Sequence, residues 1–199
     1  MLLAERLAAG VALVLSLPVL LFAGSVISIL SKQSPLIAHK RVGFGGRSIW
    51  ILKLRTMWDQ KRSDRCRLVE RLEPSKTAYM GSKPIRDPRV KNAFASFCRR
   101  FSIDELPQLW QVVQGDLALV GPRPLTRPEL ELHYESYAAE VLSRKPGLSG
   151  LWQVRGRSYL SYRQRRRLDI FMIRRWSFRL YFRIVGATVL GVLSGRGAW

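Results

Sequence analysis

The chain has 199 residues, 34 of them Lys or Arg against 14 Asp or Glu, giving a net charge of +20; 47% is hydrophobic, with 6 Trp, 6 Tyr and 8 Phe. Such apolar and aromatic content excludes a disordered basic tail, and the length suits one domain plus an appendage. The only cysteines, Cys66 and Cys98, and the only histidines, His39 and His133, argue against a disulfide scaffold, a Cys- or His-rich zinc site and a Ser-His-Asp triad. The basic excess calls for an anionic partner: nucleic acid, an anionic membrane surface or a phosphorylated substrate.

Residues 7–30, LAAGVALVLSLPVLLFAGSVISIL, form a 24-residue run without charge. As a helix it would be roughly 36 Å long, enough for a hydrocarbon core of about 30 Å. A signal peptide is the competing reading, but the run passes into Ser31 and Lys32 without a small-x-small cleavage site. Pro18, two residues after Ser16, lacks an N–H and interrupts the helical bonding. Two topologies stay open: a kinked spanning helix, or a re-entrant helix-break-helix that leaves through the leaflet it entered, with Ser16 capping freed backbone groups. Glu5 and Arg6 flank one side and Lys32, Lys40, Arg41 and Arg47 the other, so in both cases the rest of the chain is expected on the cytoplasmic side. The expected division is a membrane segment over 1–31 and a cytoplasmic-face domain over 32–199.

Residues 35–57 read as a β-hairpin turning at Gly43-Phe44-Gly45-Gly46. In its second strand Trp50, Leu52 and Leu54 share one face, and Lys53 and Arg55 the other. From 58 to 89 the chain is polar and broken by Pro74, Gly81, Pro84 and Pro88, a loop-rich insertion with a short helix expected at 60–72.

Ser102 followed three residues later by Glu105 has the form of a capping box, so a helix is expected to begin there with Asp104 and Glu105 in its first turn. Acids in a first turn suit the helix dipole and need no function. In a chain this basic, with Arg99 and Arg100 a turn away, the pair also suits Mg²⁺ and phosphate. Gln108 and Trp110 are expected to pack. Toward the C-terminus, Phe178, Phe182, Val185, Val189 and Val192 share a helical face while Arg179 and Arg183 lie elsewhere. That pattern fits a helix lying among lipid headgroups, or equally one packed on the core.

Six segments occur in an order that resembles the bacterial sugar transferases, the small monotopic phosphoglycosyl transferases. They are RVGFGG ending at Gly46, KLRTM at 53–57, DELPQLW at 104–110, GDLALVGPRP at 115–124, PGLSGLWQVRGR at 146–157 and LDIFMIRRWS at 168–177. The resemblance covers nearly the whole chain. It implies an α+β, mainly helical fold with an N-terminal re-entrant membrane helix, a small β-hairpin, catalytic helices and interfacial amphipathic helices. It also implies transfer of a sugar-1-phosphate from a UDP-sugar to polyprenyl (undecaprenyl) phosphate at the cytoplasmic face of the bacterial inner membrane, beginning an exopolysaccharide, capsule or O-antigen.

By that resemblance Asp104 is the nucleophile, forming an aspartyl phosphosugar with release of UMP, and Glu105 joins it in holding Mg²⁺. Lys53, Arg99, Arg123, Arg155, Arg157 and Asp169 match family residues near substrate and phosphate, although Asp169 equally suits a salt bridge to Arg165 or Arg166. Implied partners are the UDP-sugar, polyprenyl phosphate and anionic phospholipid, with a homodimer left open. The ending SGRGAW resembles members that use galactose or glucose. Where relatives join Ser and Pro directly at the membrane break, Leu17 here separates Ser16 from Pro18. The alternatives are a basic nucleic-acid-binding protein, for which no helix-turn-helix, zinc-finger or RNP-like pattern is present, and a membrane scaffold without catalysis.

Overall fold

The computed structural model describes residues 2–57, 69–72, 92–156 and 159–195. The fold is α+β and mainly helical, with helices assembled around two small sheets.

Helix α1, Leu2–Ser31, continues through Pro18, and the Ser16 hydroxyl donates to the Leu13 carbonyl at 2.9 Å. One stripe of this helix faces the rest of the protein: Glu5, Ala9, Leu13, Ser16, Leu20, Ala23 and Ile27, at helical spacing of three and four. Ala9 and Leu13 pack with Ile51, Leu109, Val112 and Leu117. At the other end, Leu20, Ala23 and Ile27 pack with Leu36, Leu54 and Cys98. Opposite this stripe, Leu7, Val11, Val14, Leu15, Leu21, Phe22 and Ile29 are exposed. Both halves of α1 therefore rest on the same body, with a continuous apolar face turned outward.

Strands β1, Leu36–Val42, and β2, Ser48–Leu54, form the expected antiparallel hairpin, joined by a 3₁₀ turn over Phe44–Gly46. A third strand, β3 at Val69–Leu72, adds parallel to the outer side of β1. The helix expected at 60–72 is thus corrected at its end, where the backbone is ladder-bonded as strand; the rest of that range lies outside the described residues. Both faces of β2 contribute to the core, Leu54 on one and Ile51 on the other. Ile51, on the same side as Lys53, is buried under α3 (Gln108–Gln114), whereas Trp50 is only half-buried, with Lys40 and Arg71 over its ring. Arg55 is buried as well, and its Nε donates to the Ser34 carbonyl at 2.7 Å.

Helix α2, Ala93–Arg100, precedes a 3₁₀ turn at Ile103–Glu105. After α3 comes β4, Ala118–Val120, which pairs in parallel with β5, Gly147–Ser149, across α4 (Arg127–His133) and α5 (Ala138–Leu142). The chain closes with α6 (Leu151–Arg155), α7 (Tyr162–Arg174) and α8 (Phe178–Ser194). Tyr181 and Ile184 turn α8 inward onto Val120, Leu151 and Met172, while Phe178, Phe182, Val189, Leu190 and Leu193 stay exposed. Of the apolar stripe read in the sequence, Phe178, Phe182 and Val189 face out and Val185 packs on the core.

Candidate active site

No capping box forms at Ser102. That residue adopts a left-handed conformation (φ 55°), makes no side-chain cap bond, and leads into the 3₁₀ turn that carries Asp104 and Glu105. The cause is Pro107: an α-helix starting at residue 103 would place the proline in its interior, where the ring clashes with the carbonyl four residues earlier. The chain instead makes one tight turn and starts α3 after the proline. Asp104 and Glu105 therefore sit in a 3₁₀ corner between α2 and α3, not in the first turn of an α-helix.

The corner is fixed to the sheet by Gln111, whose Oε1 accepts from the Leu52 N–H at 2.9 Å and whose Nε2 donates to the Trp50 carbonyl. This side chain bonds the carbonyl and the N–H on either side of Ile51 in β2 and sets the register between β2 and the corner. Lys53 Nζ then lies 2.5 Å from Glu105 Oε1.

A second cation comes from the other sheet. Gly121 N–H donates to the Ser149 carbonyl and Gly147 N–H to the Pro122 carbonyl, both at 2.9 Å. The backbones approach so closely that a Cβ on Gly121 would lie 2.4 Å from the Lys145 oxygen, and one on Gly147 2.1 Å from the Gly121 nitrogen. Glycine is thus required by close approach at these two points. The contact holds Pro122-Arg123-Pro124 in place, with the Arg123 guanidinium 3.8 Å from Glu105 Oε1 and 5.7 Å from the centre of the Trp152 ring.

Asp104 is only 9% exposed. Burial pushes its carboxyl up to about 6; Lys53 and Arg99 pull it down, and the neighbouring Glu105 charge pushes it up. At neutral pH it remains mostly ionised, yet more basic than an ordinary aspartate. Two adjacent carboxylates, with cations from three other elements around them, suit a phosphate-bearing substrate. The same pair offers hard oxygen donors for Mg²⁺, which commonly takes one or two carboxylates and completes its shell with water and substrate phosphate. No group of three or more His, Cys, Asp or Glu side chains gathers elsewhere for a metal among the described residues.

Of the residues expected at the site, Lys53, Arg99, Asp104, Glu105 and Arg123 are brought together. Arg155 is exposed on the last turn of α6, and Arg157 lies outside the described residues. Asp169 is fully buried, behind Arg123. The Tyr134 hydroxyl donates to its Oδ2 at 2.7 Å, and burial pushes its carboxyl up to about 7. Arg123 and Arg165 act on its charge from nearby, although Arg165 donates from Nε to the Leu160 carbonyl and lies over Trp152, and Arg166 donates to the His133 carbonyl. Gln108 is buried as expected, whereas Trp110 is 47% exposed.

Gln111, Trp152 and Glu129 also border this site and are not among the residues expected there. Glu129 is held below its usual range, against its burial, by the Thr126 N–H and by Arg41 and Arg123. Its signal was present in Thr126-Arg127-Pro128-Glu129, which forms a full capping box.

A family model described as bacterial sugar transferase matches residues 2–195. Exopolysaccharide production protein ExoY of Rhizobium meliloti is 37% identical over 199 residues, covering 98% of this chain and 86% of that protein. The undecaprenyl-phosphate galactose phosphotransferase of Salmonella typhimurium is 33% identical over 82% of this chain and 34% of its own length. The UDP-glucose:undecaprenyl-phosphate glucose-1-phosphate transferase of Xanthomonas campestris is 30% identical over 98% of this chain and 39% of its own length.

Proposed function

We propose, from the premise that the chain belongs to the bacterial sugar transferase family, that it moves a sugar-1-phosphate from a UDP-sugar to undecaprenyl phosphate and so starts a surface glycan. The observation that carries the reading is Asp104: a buried, raised but ionisable carboxylate acted on by Lys53 and Arg99, beside a Glu105 that faces Lys53 and Arg123. Relatives named for UDP-glucose and for undecaprenyl phosphate support the donor and the acceptor.

In the first step an Asp104 oxygen attacks the sugar-bearing phosphorus; the bond from that phosphorus to the bridging oxygen breaks, and UMP leaves with the electron pair. In the second step an oxygen of the acceptor phosphate attacks the same phosphorus, and the bond to Asp104 breaks. The carboxylate is regenerated, and polyprenyl diphosphate sugar departs. Burial makes Asp104 a better nucleophile than a solvated aspartate, while Lys53 and Arg123 stand where phosphate charge must be met. Asp104 and Glu105 would hold Mg²⁺, which would supply neutralisation of the diphosphate charge.

The reaction joins a soluble nucleotide to a lipid, so the site must lie at a membrane surface. Helix α1 is inserted by its outward apolar face without carrying its N-terminus to the far side, because its inward stripe stays on the domain from Glu5 to Ile27. A straight span would remove one end from that contact. The exposed apolar residues of α8, rimmed by Arg179 and Arg183, meet anionic headgroups on the same side.

The test is incubation of the detergent-solubilised protein and Mg²⁺ with UDP-sugars labelled in the sugar phosphate, without acceptor. Label stays on the wild type, is released by added undecaprenyl phosphate, and is absent from Asp104→Asn. UMP release that requires both substrates together would refute the covalent route.

A further inference from the structure

Four aromatic rings run from the outward face of α1 to the corner that holds Asp104. Phe22 on α1 meets Phe94 on α2 edge-on at 6.2 Å between ring centres; Phe94 stacks on Phe97 at 6.5 Å, and Phe97 lies 4.8 Å from Phe101. The ladder arises from local sequence: Phe94, Phe97 and Phe101 are spaced three and four apart and share a helical face, while Ala95 and Cys98 turn α2 into the core. Phe22 is 65% exposed and Phe97 49% exposed. Two exposed rings joined through half-buried Phe94, with half-buried Phe101 beyond, leave apolar surface that calls for an apolar partner.

The two ends differ in chemistry. At the far end Phe22 belongs to the lipid-facing surface of α1. At the near end Phe101 is flanked by Arg100, whose guanidinium lies 5.6 Å from its ring centre, and the chain turns at Ser102 directly into Asp104. Arg99 acts on the Asp104 carboxylate. An occupant must therefore be apolar along its length, begin in the bilayer, and end in an anion presented to Asp104.

The geometry points to the Phe22-Phe94-Phe97-Phe101 ladder as the track for the polyprenyl chain of the acceptor, leading its phosphate to Asp104 past Arg99. This rests on the function proposed above and adds to it the residues that recognise the lipid. The methyl-branched, unsaturated chain lies across the ring faces and edges, and a longer chain engages more rings. Chain length is thereby read by the protein itself, beyond what partitioning into a membrane would give. A bilayer acyl chain could cover Phe22 and Phe97, but it carries no phosphate ester able to react at Asp104.

The experiment measures kcat/KM for undecaprenyl phosphate and for geranyl phosphate with the same enzyme in detergent, so that a general loss of activity cancels in the ratio. Phe97→Ala is expected to lower the long-to-short ratio about tenfold, the order of a lost aromatic contact, and Phe97→Leu to recover part of it. In parallel, a diazirine-bearing polyprenyl phosphate is expected to crosslink within residues 94–101. A ratio changed less than twofold, with crosslinks on α8 instead, overturns the track while leaving the transferase reading standing. An unchanged ratio accompanied by weaker binding to vesicles assigns the ladder to bulk lipid and overturns it too. Failure of the wild type to release UMP from any UDP-sugar overturns the function, and the track with it.

Discussion

Asp104→Asn should stabilise the protein while removing its chemistry, and the stabilisation should depend on pH. The side chain is 9% exposed and its carboxyl is raised from 3.8 to about 6. At about 1.4 kcal/mol for each pH unit, holding this group ionised in the fold costs roughly 3 kcal/mol above pH 6. The cost is net of Lys53 and Arg99, which already act on the carboxylate. The sign follows from linkage: the folded carboxyl holds its proton more tightly than the unfolded one, so wild-type stability falls as pH rises from 3.8 through 6. Asparagine does not titrate and escapes the loss. In detergent at pH 8, Asp104→Asn should therefore melt higher by several degrees, at about 2–4 °C per kcal/mol for a chain of this size. At pH 4 the gain should nearly vanish, because the wild-type group is then protonated in the fold. Tm against pH for both proteins, with phosphosugar labelling on the same samples, checks it. A variant less stable than wild type at pH 8, or a gain independent of pH, would refute the argument that burial of this charge is offset only in part.

Three further outcomes follow. If Asp104 is the nucleophile proposed above, the kcat/KM for the donor should fall on the acid side with a single-proton limb near pH 6; a limb near 4 would show an unperturbed aspartate. Asp169→Ala should lower stability by about 1–3 kcal/mol by leaving the buried Tyr134 hydroxyl without its acceptor, whereas Asp169→Asn keeps an acceptor oxygen and should fold and turn over. Equal loss of donor kcat/KM in both variants, with folding intact, would return Asp169 to the substrate site. A single cysteine at Leu3, in a background lacking Cys66 and Cys98, should react in sealed vesicles with a reagent on the cytoplasmic side; labelling from the opposite side alone would make α1 a span.

Much of the fold was legible because its signals are local. The uncharged run, the hairpin around Gly43–Gly46 and the amphipathic C-terminal helix each announce themselves within a few turns of chain. The pairing of β3 with β1, and of β4 with β5 across the intervening α4 and α5, depends on residues distant in sequence. Periodicity marks β2 as strand, but its burial is divided between the two faces, with Leu54 under α1 and Ile51 under α3. Alternation fixes which residues share a side, whereas the choice of side belongs to the helix that packs there, here α3 over Ile51.

Three segments of this chain carry a hydroxyl followed three residues later by Glu or Gln, starting at Ser102, Thr126 and Ser161, and their fates differ for one reason. At Thr126 and Ser161 the box closes, with Pro128 at the second helical position, where its missing N–H has no helical partner to lose. At Ser102 a proline stands five positions on and forbids the helix the box would start, so the motif is spent on a tight turn. That failure shapes the site. A helix through residues 103–107 would lay Asp104 and Glu105 along its surface; the turn instead buries Asp104 and leaves Glu105 facing Lys53 and Arg123. Two adjacent, chemically similar acids thereby acquire different environments, one desolvated and more basic, the other held among cations. The site was thus readable as a pair of acids in a basic chain, whereas the division of labour between them comes from Pro107 and from the grip of Gln111 on β2.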